Sequence, residues 1–300
     1  MNKESMIQML SFSLILLLLP TSGISKKNKT SECWTVTPAQ NRVLKSKILK
    51  SKVRLQVDLP DNYESNDDTY GVVYCLDGFV WGGTIRETAY LLQRSEEIPK
   101  LIVVCLDLDV NTFNECYERR SYILTPTKSD TYKDLGIPES WTGGGSEFLK
   151  CFMEEIIPFI ENEYRANAKD RTIVGHSLGG LFASYVLFNS PDTFHRYLIS
   201  SPSLQWDDRV IFKYESNYAK QNSELPAKVF LSIGGEENRP DDMTVFQLCE
   251  LAEILRLREY SELELSSMVF ENETHSSVPP AAFSRGLRVL YSSPRLLITP

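Results

Sequence analysis

The chain has 300 residues, 42% of them hydrophobic and 24% charged, a composition that suits a large α/β domain with a sizeable core. Its net charge of −8, with no basic run beyond Lys26-Lys27-Asn28-Lys29, excludes a nucleic-acid binder, whose partner demands a cationic face. An acidic balance of this kind chiefly favours solubility.

At the N-terminus Lys3 precedes an apolar run from Met9 to Leu19, followed by Pro20 and small residues. This is the layout of a cleaved secretory signal peptide over residues 1–25, leaving a single α/β domain over 26–300. The apolar run falls short of the roughly 20 residues a membrane-spanning helix needs. The expectation is an exported protein with no stable membrane insertion after cleavage. Export would allow disulfides among Cys33, Cys75, Cys105, Cys116, Cys151 and Cys249. Cys75 and Cys105 lie inside apolar runs, where buried free thiols are expected instead. With no C-x-x-C and no Cys/His cluster, no metal site is expected. Asn28 and Asn272 head N-x-T sequons.

Beyond the leader, short β-rich apolar runs alternate with segments of helical period. That is the pattern of a mostly parallel sheet with helices on both faces. Residues 52–60 alternate like a strand open to water on one side, and residues 71–78 and 101–108 read as buried central strands. The loop from Thr125 to Ser146, rich in glycine and polar residues, is long for a connection, and residues 126–146 are expected to bind substrate. Residues 147–164 have helical spacing interrupted by Pro158, and they lead through Asn167-Ala168-Lys169-Asp170 into a strand at 171–175. A helix over 180–191 follows, then strands at 195–203, 227–235 and 261–273. Helices over 245–260 and 281–293 complete the pattern, and no internal repeat is present.

Between the strand at 171–175 and the helix after it lies Gly175-His176-Ser177-Leu178-Gly179. A G-x-S-x-G sequence in that context reads as a nucleophile elbow, with Ser177 as nucleophile and the Leu178 amide facing the developing oxyanion. A serine hydroxyl needs a general base, and the chain has three histidines. His176 lies inside the elbow and His195 in a connection, whereas His275 follows the last strand, where the base belongs. The acid should follow the penultimate strand, which ends in Glu236 and Glu237, with Asp241 and Asp242 beyond Pro240. Glu237 is favoured and Glu236 stands second. The second oxyanion donor is assigned to the Phe79 amide in the glycine-lined turn after an early strand, with Trp81 as a candidate pocket residue.

These residues also carry a resemblance. "LPDNYE", "VVYCLDG", "RRSYILTP", "FMEEIIPFIENEYR", "RTIVGHSLGGLFASYVLFNSPDTFHRYLISSPSLQWD", "SIGGEEN" and "THSSVP" resemble, in order from about Val43 to about Leu290, the putative-esterase family. That family includes ferri-siderophore esterases and is related to esterase D and feruloyl esterase domains. The resemblance implies an α/β-hydrolase fold and hydrolysis of a small-molecule carboxylic ester without a cofactor. It puts Ser177 and His275 on the nucleophile and base and Glu237 on the acidic position of a G-x-x-E/D pattern, although some members work with a Ser-His dyad. Arg120 matches the arginine of R-x-Y-D-x-T-P, which siderophore-cleaving members place near an anionic substrate. The aspartate of that pattern is replaced here by Ile123. Acyl transfer to a sugar or lipid acceptor and a catalytically silent binding module are the alternative readings. Neither the natural ester nor the number of subunits is set by the sequence.

Overall fold

The computed structural model describes residues 39–110, 112–237 and 244–292. The expected signal peptide, Asn28, Cys33 and the carboxylates Asp241 and Asp242 lie outside these residues.

The centre is an eight-stranded sheet with strand order β1-β2-β4-β3-β5-β6-β7-β8. Its strands are β1 Gln40–Ser46, β2 Ser51–Asp58, β3 Tyr70–Cys75, β4 Leu101–Leu108, β5 Ala166–His176, β6 Arg196–Ser200, β7 Glu224–Gly234 and β8 Ser261–Phe270. β1, β2 and β4 pair antiparallel, and every later pairing is parallel. Burial follows position in the sheet. β3 is buried at every residue, as a strand covered on both faces must be, whereas β2 alternates.

Helices α1 (Gly78–Arg94) and α8 (Val278–Tyr291) cover one face, packing Ile85, Ala89, Phe283 and Leu287 against Val73, Val174, Leu198 and Phe230. The opposite face carries α3 (Gly145–Cys151), α4 (Ile157–Glu163), α5 (Leu178–Asn189), α6 (Trp206–Ala219, regular from Val210) and α7 (Thr244–Arg258). Between β4 and the long loop runs α2 (Phe113–Leu124), whose N-cap Thr112 accepts a hydrogen bond from the Glu115 amide. A five-residue π turn, Phe152–Ile156, joins α3 to α4 directly before Pro158. Proline has no N–H to give the preceding turn, so the backbone widens there instead of breaking.

Several elements differ from the sequence reading. β5 begins at Ala166, so Asn167 to Asp170 are strand and not connection. β1, α2 and α6 are elements that the sequence reading does not place. The glycine-lined turn after β3 is the first turn of α1. Gly78 starts that helix hard against β4, where an added Cβ would come within 2.9 Å of Cys105 Cβ, so the residue that looks like a turn signal is a packing requirement. Among the described residues Cys75, Cys105, Cys116, Cys151 and Cys249 are free thiols. No described helix is long and apolar enough to cross a membrane.

Candidate active site

The C-terminal ends of β5, β6 and β7 meet the loop after β8. At the end of β5, Ser177 has φ 59° and ψ −121°, a conformation that side-chain-bearing residues rarely adopt. The neighbouring glycines make the turn possible. A Cβ on Gly175 would lie 2.2 Å from Gly179 O, and one on Gly180 would lie 3.0 Å from both Ser200 O and Pro202 Cα. Ser177 N–H donates to Ser200 O at 3.1 Å, which fixes the turn to β6. Leu178 is the first residue of α5, and the leading amides of a helix have no carbonyl behind them to bond. Its N–H is therefore a donor at the positive end of a helix, next to the serine hydroxyl.

Glu237 ends the turn that follows β7, with a side chain only 6% exposed. Its two oxygens are used differently. Oε1 accepts from Ser201 Oγ at 2.6 Å and from Gly234 N–H at 2.8 Å. Oε2 lies 2.6 Å from His275 Nδ1. A carboxylate only accepts, so Nδ1 carries the proton and Nε2 is left bare to take one. Gly234 is required here because a Cβ would meet Glu273 O at 2.3 Å. Glu236 N–H donates to that same Glu273 carbonyl at 3.0 Å, tying the acid's turn to the histidine's loop.

Ser177, Leu178, Glu236, Glu237 and His275 line one cavity of about 460 Å³. Tyr132, Leu135 and Ile137 of the 126–146 loop close one side of it, and Leu135 is 64% exposed at its edge. The loop is pinned to the β6–α6 connection, since Gln205 Nε2 donates to Tyr132 Oη at 2.6 Å and Trp206 Nε1 to Thr127 Oγ1 at 3.2 Å. At its far end Gly143, at φ 90°, donates its N–H to Thr125 Oγ1 at 2.8 Å.

Two sequence expectations are corrected by this geometry. The Phe79 amide, in the first turn of α1, is committed to Asp107 Oδ1, to which it donates at 2.5 Å, and Phe79 is not among the residues lining the cavity. Helical phase likewise turns Trp81 onto the other side of the sheet, where it packs edge-on against His176 at 5.0 Å and Phe283 at 6.3 Å. Arg120 does line the cavity, but it is committed to a carboxylate: Nε and Nη2 donate to the two oxygens of Asp77 at 2.7 and 2.8 Å. Ser201, with φ 42°, is the residue the sequence reading missed, and the serine-rich end of β6 was its only signal. His176 is buried with Nδ1 3.2 Å from Ser200 Oγ, and its ring lies 4.5 Å from that of His275. Burial, reinforced by the nearby His275 and Arg120 charges, holds its pKa well below 6.5. Among the described residues no cluster of three His, Cys, Asp or Glu side chains is placed to hold a metal ion.

The sequence profile of the Putative esterase family matches residues 46–271. The chain belongs to that family. As a family member it is a carboxylic ester hydrolase of the α/β-hydrolase type. Ferri-bacillibactin esterase BesA of Bacillus subtilis (strain 168) is 28% identical over 268 residues, covering 86% of this chain and 91% of the relative. The siderophore enterobactin esterase of Emericella nidulans is 30% identical over 277 residues, covering 79% and 88%. Among solved structures, the BES protein from Bacillus cereus superposes with a TM-score of 0.75 at 27% identity, covering 87% of this chain and 98% of the other. The siderophore hydrolase EstA from Aspergillus nidulans gives 0.71 at 26%, covering 86% and 98%.

Proposed function

We propose that Ser177 is the nucleophile, His275 the general base and Glu237 the residue that orients and stabilises the imidazolium, in the hydrolysis of a siderophore-type ester. The observation that carries this reading is the Glu237–His275 hydrogen bond of 2.6 Å at the wall of the cavity that Ser177 also lines. His275 Nε2 takes the Ser177 proton as Oγ attacks the ester carbonyl, and the oxyanion receives the Leu178 N–H. Collapse expels the alcohol with the proton returned by His275, leaving an acyl-serine. Water, activated by the same Nε2, then releases the acid and restores the serine. The substrate class rests on relatives whose described substrates are siderophores, and on a cavity large enough for a small ester.

The deciding assay compares wild type with Ser177→Ala on p-nitrophenyl acetate, methyl ferulate and ferric siderophore esters. A loss in kcat on the order of 10⁵ on the preferred ester, with the fold retained by circular dichroism, is expected. Unchanged turnover in the alanine variant would remove Ser177 from the mechanism. We also infer export after removal of residues 1–25. N-terminal sequencing of the protein recovered outside the cytoplasm tests this, and an intact Met1 would refute it.

A further inference from the structure

The histidine inside the elbow takes no part in the proton transfers above, yet it touches the one that does. His176 ends β5 two residues after Val174, so both side chains lie on the face that α1 and α8 cover. The loop that carries His275 enters α8 at Val278 and approaches the same face. The two imidazole rings therefore meet, with centroids 4.5 Å apart and planes at 42°. Behind His176 stands Trp81 of α1, edge-to-face at 5.0 Å and 76°, and behind Trp81 stands Phe283 of α8, at 6.3 Å and 87°. To one side, His176 Nδ1 lies 3.2 Å from Oγ of Ser200, its register partner on β6. The ring is thus set in the core, where packing leaves a side chain little room to move.

His275 is held less firmly. Its side chain is 48% exposed, and Glu237 ties it down at Nδ1. A hydrogen bond at one ring atom fixes the tautomer but lets the ring rock about that contact, and Nε2, across the ring from Nδ1, then moves the most. A contact on the face of the ring removes this freedom, and His176 supplies it. The platform is also of the right charge. Burial first, and then the His275 and Arg120 charges, keep His176 neutral, while the smallest effect, from the His275 backbone, runs the other way. The imidazolium that forms on His275 as it takes the serine proton therefore rests on an uncharged ring and not on a second cation that would repel it.

We propose that His176 is a positioning residue: its buried ring, backed by Trp81, is the platform that holds the His275 imidazole in the plane from which Nε2 serves Ser177. This rests on the Ser177–His275 reading above and adds to it the residue that aims the base. The test measures kcat and KM on p-nitrophenyl acetate for wild type, His176→Ala, His176→Phe and Trp81→Ala, with the downfield proton NMR signal of His275 Nδ1–H as a second readout. His176→Ala is expected to lower kcat roughly 30- to 100-fold with KM within about twofold, because a misplacement of about 1 Å at a reacting group can cost 10²-fold in rate. The Nδ1–H signal should broaden in that variant as the unsupported ring exchanges with water. His176→Phe restores a flat ring and should bring kcat back to within about fivefold of wild type. Trp81→Ala loosens the platform from behind and should lower kcat about five- to tenfold, again with little change in KM. Should His176→Ala fail to fold by circular dichroism, Trp81→Ala decides alone. Unchanged kcat in the folded alanine variants, a loss carried by KM, or a phenylalanine variant as slow as His176→Ala overturns the proposal and leaves Ser177 and His275 in their roles. Hydrolysis that survives Ser177→Ala overturns the reading beneath it as well.

Discussion

Two strand-to-helix junctions lie side by side in this molecule, and they put the same backbone device to different uses. After β3 the chain turns at Asp77, with φ 55°, into α1; after β5 it turns at Ser177, with φ 59°, into α5. Both residues precede a helix, neither caps it with its side chain, and both sit where glycine would be easier. They are close enough that a Cβ on Gly179 would come 3.3 Å from Asp77 Oδ2. Asp77 spends its side chain on Arg120, so its junction is a structural tie between α1 and α2. The Ser177 side chain opens instead into the cavity shared with His275. A positive φ at a sheet's C-terminal edge thus marks a tight turn. Whether it marks chemistry depends on what the side chain is paired with.

This contrast can be broken at either junction. The largest effect is expected at the serine's support: Glu237→Gln should lower kcat on the order of 10⁴ while leaving the unfolding midpoint close to wild type, because it disturbs the His275 tautomer and not the turn. Next, Gly175→Ala should cost about 4 kcal/mol or more in urea titrations, since its Cβ would meet backbone and not a yielding side chain. At the other junction, Asp77→Asn leaves a buried guanidinium without its counter-charge, and a loss of about 3 kcal/mol in stability is expected, with kcat falling far less than in Glu237→Gln. The smallest effect concerns Asp107, whose carboxylate accepts the Phe79 amide. Burial first, and then the like charge of Asp77, push its pKa from 3.8 to about 6. The folded state therefore holds this proton more tightly than the unfolded chain does. Its contribution to stability is complete below pH 3.8 and is lost as pH rises through about 6. Asp107→Asn should flatten that part of the stability–pH curve by about 1 kcal/mol, and a curve that kept its slope would assign the titration to another group.

Legibility followed physical locality. The parallel strands were readable because burial on both faces writes continuous apolar runs, and the elbow because its glycines are forced by atoms within a few residues. Glu237 could be singled out because strand order puts a carboxylate at the end of β7, and its hydrogen bond to His275 is present. What escaped notice depends on distant partners. Helix α1 was obscured because Gly78 is selected by Cys105 on another strand, and this one misreading gave the cavity the Phe79 amide, which is bonded to Asp107, and the Trp81 ring, which packs against Phe283 of α8. The pairing of Arg120 with Asp77 spans 43 positions, and no local pattern announces it.

The site also spans unequal ground. Ser177 hangs from β5, deep in the sheet, while His275 lies just past β8, the edge strand, which among the described residues has β7 as its one neighbour and is only partly buried along most of its length. Edge elements open at lower free energy than central ones. On warming, β8 should fray and carry the histidine out of reach while the serine's half of the fold is still closed. Turnover would then fade before the main unfolding transition, and activity would report on the integrity of one border of the sheet and not on the survival of its core.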